Sequence, residues 1–164
     1  MSTASTWEAY VAAHALMVQR RISVHAAESD SENLVTAIKA SLLGSTSAAA
    51  AALEYFPFMG AECALKLIPT LLRLALSVHG LTESARSCLA QLPSDAVIEA
   101  AVVAESDVIR NGDYEEYACL FEIWRTLGQA ERAARLAQQA SKDSNEDVRD
   151  VGISFLQAHG EPSV

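Results

Sequence analysis

The chain has 164 residues, enough for one domain that buries roughly 70% of its unfolded surface and holds its core without disulfides or metal. Its 21 acidic and 12 basic side chains leave a formal charge of −9. That field repels phosphate backbones and anionic lipid and attracts basic surfaces, which sets nucleic acid and membrane aside and favours a basic protein as partner.

Ser5-Thr-Trp-Glu8 has the form of a capping box and opens a helix to about Ala27, with Trp7, Val11, Ala15 and Val18 along one side. Met1 to Thr6 lacks the basic residues of a secretory leader, and Arg20-Arg21 interrupt the apolar stretch that follows, so the expected location is the cytoplasm. A lone N-terminal helix over 1–28 is expected to cover the apolar end of a helical stack. Ser29-Asp-Ser-Glu32 repeats the box, and the stripe Leu34, Ile38, Leu42 forms the next helix, ended by Gly44, which can take the left-handed conformation a helix stop favours.

Ala48 to Leu53 has high helix propensity and runs into Tyr55, Phe56 and Phe58, with Pro57 and Gly60 closing the hairpin. Ala61 to Val78 is the longest apolar helix. It contains Lys66 and Arg73 and is shorter than the ~20 residues a bilayer span needs. Pro69 in its interior removes a backbone hydrogen bond and is predicted to kink it around Lys66. Ser84 to Leu92 forms a shorter helix that Pro93 stops.

Ser94 is expected to cap a helix from Asp95 to Arg110 whose stripe is Val97, Ala101, Ala104 and Val108. Asp113-Tyr-Glu-Glu116 starts its partner. There Tyr117, Leu120, Phe121, Trp124 and Leu127 gather the bulkiest side chains, which places the densest core in this helix, and Gly128 ends it. Gln129 to Lys142 and Asn145 to Ala158 make the last pair, Glu146 and Asp147 suiting the N-terminal end of the helix dipole. Gly160 to Val164 reads as a frayed tail.

Apolar stripes thus restart after Gly44, Gly80, Gly112 and Ser144-Asn145, and no alternating strand pattern persists. A beat of roughly thirty residues is the mark of stacked helix pairs, since one pair cannot bury its apolar face alone. The class expected is all-α: a single domain over 1–164, built as a short right-handed α-solenoid of about four helical hairpins plus an N-terminal capping helix. Cys63, Cys88 and Cys119 each fall in an apolar stripe and read as small buried hydrophobes.

The second helices align at Ala49, Ala85, Tyr117 and Val148, and the final unit, Ala134 to Leu156, resembles a HEAT repeat in its Asp143 turn followed by Val148-Arg149. Glu83-Ser-Ala-Arg86 is similar more weakly. The resemblance implies a protein-binding scaffold in which Arg149, Arg86 and Asp143 are structural, pairing between neighbouring repeats. Gly112-Asp-Tyr-Glu-Glu116 with Leu120-Phe121 and Gly128 to Ala137 is similar to part of a tetratricopeptide repeat, which implies the same role.

No signature of catalysis, cofactor or metal stands out. His14, His25, His79 and His159 lack a His or Cys three to five positions away, and His25 with Glu28 is an ordinary surface pair. The strongest feature is the run from Asp95 to Glu122, with eight acidic residues against Arg110 alone. Its bland reading is a solvated helical face. Its functional reading is an acidic strip in which Glu99, Asp107, Glu115 and Glu122 surround Val102 and Val103 and dock a basic protein.

The function expected is therefore a non-catalytic binding module, such as an inhibitor, an immunity protein or an assembly subunit. The alternative is a helical-repeat enzyme or small-ligand carrier with a cavity near Glu62, His79 or Tyr55. Homo-oligomerisation is expected through the C-terminal helix, by Val148, Val151, Phe155 and Leu156.

Overall fold

The computed structural model describes residues 3–28 and 31–160. The elements are α1 (Thr3–Glu28), α2 (Glu32–Leu42), α3 (Thr46–Tyr55), a 3₁₀ turn (Phe56–Phe58), α4 (Ala61–Leu65), α5 (Ile68–Ala75), α6 (Thr82–Leu89), α7 (Ser94–Asn111), α8 (Tyr114–Thr126), α9 (Ala130–Ala140) and α10 (Glu146–His159). The described residues include no strand, so the all-α class stands. Among them, no helix is long and apolar enough to cross a membrane. The tail expected after Gly160, and Ser29 of the second capping box, lie outside the described residues.

Side-chain caps set several helix starts. Ser31 accepts from Leu34 N at 3.1 Å and Ser45 from Ala48 N at 3.3 Å. Asp113 and Glu116 form a full capping box, with Glu116 N to Asp113 Oδ1 at 2.9 Å and Asp113 N to Glu116 Oε2 at 3.2 Å. Two expected caps are not formed. Ser5 lies inside α1, which begins at Thr3, and Ser94 is already helical, with Pro93 before it. Proline pre-sets the chain direction at that entry and leaves the first N–H groups without a side-chain cap.

The expected kink at Lys66 is a complete break. The helix stops at Leu65, turns through Lys66 and Leu67, and restarts as α5 with Pro69 in its first turn, where the missing N–H costs nothing. Lys66 then reaches back to pair with Glu32 at the start of α2. Gly44 does not take the left-handed conformation; Gly128 does, at φ +71°. Gly128 N donates to Arg125 O at 3.0 Å and Gln129 N to Trp124 O at 2.8 Å, the paired bonds of a Schellman stop.

Packing is mainly between near neighbours in the chain: α2 on α3, α5 on α6, α8 on α9, α9 on α10, and then α2 on α5, α3 on α6, α5 on α7 and α8 on α10. Tyr117, Leu120, Phe121 and Trp124 of α8 are buried as their stripe predicts, with Leu127 half-buried. Phe121 meets Phe155 of α10 at 4.7 Å between ring centres. Val148 and Phe155 are therefore buried within the chain and Val151 and Leu156 half-buried, which leaves this stripe little to offer a second copy.

The expected cover helix behaves differently. From Ser5 to Ala26 every side chain of α1 is exposed except half-buried Arg21. It touches the body near its C-terminal end: the Arg21 guanidinium lies 4.7 Å from the Phe58 ring centre and 3.9 Å from Glu54, and His25 Nδ1 is 2.5 Å from Phe58 O. Instead of lying over an apolar end, α1 presents its own apolar residues to solvent.

Candidate functional site

A groove of about 740 Å³ lies between α5 and α7. Pro69, Leu72 and Leu76 form one wall, and Ala100, Val103 and Ala104, one flank of α7 at helical spacing, form the other. Leu72 and Leu76 also belong to the core, while Val103 is 64% exposed at the lip. Arg73, Asp107, Asn111 and Glu116 supply the polar rim.

Local geometry brings Glu116 to that rim. A Cβ at Gly112 would lie 2.6 Å from Val108 O, so the tight passage from α7 to α8 needs a residue without a side chain there. The capping box then holds Glu116 in the first turn of α8, where it joins Asp107 as a second carboxylate on the groove. An apolar floor with carboxylates at the edge can take the apolar side of a peptide or helix and attract its cationic flank.

The acidic residues singled out from sequence are divided by the fold. Glu99, Val103 and Asp107 recur at every fourth residue on one flank of α7, and Val103 and Asp107 line the groove. Val102 is half-buried, one helical step round towards Glu105, whose carboxylate takes Arg132 in two bonds at 2.8 and 2.9 Å. Glu115 and Glu122 stand two turns apart on α8 and do not line the groove. Glu115 accepts from the Tyr114 hydroxyl at 3.2 Å, which raises that phenol above its ordinary range, and Glu122 holds Arg125 at 3.0 Å.

The run is also less bare than its composition suggests. Arg125 and Arg132, from beyond it, neutralise Glu122 and Glu105, and Arg110 lies 3.5 Å from Asp107. Sequence reasoning missed the α5 wall and Arg73, because no local signal ties that stripe to α7. In the sequence Glu116 reads only as part of the segment that starts α8 and of the acidic run.

A second groove of about 470 Å³ lies between α3 and α6, with Leu53, Leu81 and Cys88 among its lining and Glu54 and Glu83 at its edge. Glu83 is engaged by Arg86 at 2.7 Å and Glu54 faces Arg21. Glu62, His79 and Tyr55 line neither groove. Among the described residues no three His, Cys, Asp or Glu gather as a metal site. Arg149 donates to the backbone O of Asp143 at 3.1 Å, and the Asp143 carboxylate accepts from Asn145 N at 2.8 Å, so both brace their own turn.

Cys63, Cys88 and Cys119 are buried and free. Burial pushes the Cys88 thiol up to about 11 from an ordinary 9.0. The folded state thus keeps its proton where the unfolded chain loses it. That contribution to stability is complete below about pH 9 and fades as pH rises towards 11. The melting temperature is expected to fall across this window, and less steeply in Cys88→Ala. Equal slopes would contradict the assignment.

No protein-family model matches the chain, and no similar curated protein or solved structure is found.

Proposed function

We propose that this chain is a non-catalytic protein-binding module of HEAT-like build, a short right-handed α-solenoid that docks a basic protein on carboxylate-edged grooves between its helices. Packing of α2 on α3, α5 on α6, α8 on α9 and α9 on α10, and of α2 on α5, α3 on α6, α5 on α7 and α8 on α10, supports the repeat reading, with α4 and α5 counted as one broken helix. The observation that carries the binding role is the α5–α7 groove, where exposed Val103 stands beside Asp107 and Glu116 above a leucine floor. In this role Glu99 extends the acidic flank by one turn, and Glu115 and Glu122 add to the long-range field that steers a cationic partner. An inhibitor, an immunity protein and an assembly subunit all fit that chemistry.

The test compares proteins captured from the native extract by the wild-type chain and by Asp107→Lys/Glu116→Lys. Each lysine replaces an exposed or half-buried carboxylate, so the variant is expected to fold. It is expected to lose a salt-sensitive partner by about tenfold or more in affinity, each reversed charge at the rim costing on the order of 1 kcal/mol. Identical capture by both proteins would overturn the groove as the docking site.

A further inference from the structure

Eight of the sixteen large apolar residues exposed among the described residues lie on α1, a helix of 26 residues. Trp7 is 65% exposed, Tyr10 58% and Ile22 63%, and α1 packs broadly on no other element. Trp7, Val11, Val18 and Ile22 share one side of the helix, and with roughly 150–250 Å² for a full aromatic side chain their exposed fractions amount to several hundred Å² of apolar surface. Patches of that size mark interaction sites.

The charges on α1 indicate what covers it. Glu8 stands near one end, Arg20 and Arg21 near the other, and with Glu28 the helix is neutral, so the −9 resides on the rest of the chain. A basic partner finds no net attraction there, and an anionic membrane is repelled by the body. A second α1 running the opposite way does find complementarity, because each end then meets the end of opposite sign. A parallel twin would set like charges level with one another.

We propose that α1 is a dimerisation element that pairs antiparallel with α1 of a second copy, crossing at His14 and Ala15. In that alignment Trp7 stands level with Ile22 of the second copy and Val11 with Val18, along a stripe at coiled-coil spacing. Glu8 comes level with Arg20 across helix axes ~8–10 Å apart, about one Debye length at physiological salt, while Arg21 is engaged by Glu54 and Phe58 of its own chain. Among the described residues neither Glu8 nor Arg20 has an ionic partner in its own chain. The dimer leaves the grooves on the body free, so its failure would not touch the binding reading above.

The test is molar mass of the full chain in solution by light scattering, with circular dichroism and melting temperature beside it. The expected mass is twice the 17.5 kDa of one chain, falling to a single chain in Val11→Glu/Val18→Glu. The melting temperature of the body is expected to hold, because those side chains are exposed. Glu8→Arg is expected to weaken the dimer about tenfold, and mixing it with Arg20→Glu to restore a mixed dimer. Under oxidation a Val11→Cys chain is expected to cross-link to a Val18→Cys chain in preference to itself. A monomer at every concentration overturns the proposal, as does a dimer that survives Val11→Glu/Val18→Glu. Preferential Val11→Cys self-cross-linking overturns the antiparallel alignment, and a monomer that sediments with phosphatidylcholine vesicles through α1 assigns the helix to lipid instead.

Discussion

Truncating Trp124 to alanine is expected to destabilise the chain by about 3–5 kcal/mol, the range for removing a large aromatic from a packed core. Trp124 is 0% exposed, on α8 where it packs on α9. The Arg132 guanidinium covers its ring at 4.4 Å from the centre, and Glu105 holds that arginine in place with two hydrogen bonds. Alanine would therefore leave a cavity and remove the aromatic face on which Arg132 rests. For a chain of this size the melting temperature is expected to drop by roughly 10 °C or more.

Trp124→Phe is the informative contrast. Among the described residues the buried indole Nε1–H has no hydrogen-bond partner, a state that costs about 1–3 kcal/mol. Phenylalanine keeps a ring under Arg132 and removes that donor, so it is expected to cost far less than alanine. Equal losses in the two variants, read from thermal melts, would show that neither the ring face nor the lone donor matters.

Gly152→Ala is expected to have the second-largest effect, and of a sign opposite to helix propensity. Inside a helix, alanine is normally better than glycine by about 1 kcal/mol. Here a Cβ would stand 2.6 Å from Ser141 N and 2.7 Å from Ala137 O, both backbone atoms of the α9 end that cannot swing aside. Ala137 and Ala140 are 0% exposed, so α9 and α10 meet across small residues at close range. Forcing the helices apart is expected to cost about 1–3 kcal/mol net and to lower the melting temperature by roughly 5 °C. A variant that melts higher than wild type would show that this approach is looser than described.

Local chemistry was readable wherever a short-range interaction decides the outcome. The helix start at Asp113–Glu116, an interruption near Pro69 and the buried stripe Tyr117, Leu120, Phe121, Trp124 each rest on residues within one or two turns of each other. Ser5 and Ser94 misled because a box pattern states that a cap can form, while the chain entering the helix decides whether it does. Gly44 follows the end of α2 as read, without the left-handed turn that Gly128 adopts: glycine permits that turn and does not impose it.

The candidate site was readable in part. Glu99, Val103 and Asp107 share a flank of α7 by helical period alone, so their alignment follows from spacing. Their neighbours do not. Arg132 reaches Glu105 from α9, and the leucine wall comes from α5.

By itself the sequence determined that this protein is helical, which side of each helix is apolar, and that its charge is strongly negative. Only the tertiary structure decided which apolar sides are covered. Trp7, Val11 and Val18 on α1 have the same period as Val97, Ala101 and Val108 on α7, yet the first set is exposed and the second buried. The reason is physical: periodicity is a property of one helix, whereas burial needs a second surface of matching shape, and that surface is supplied by residues far away in the chain.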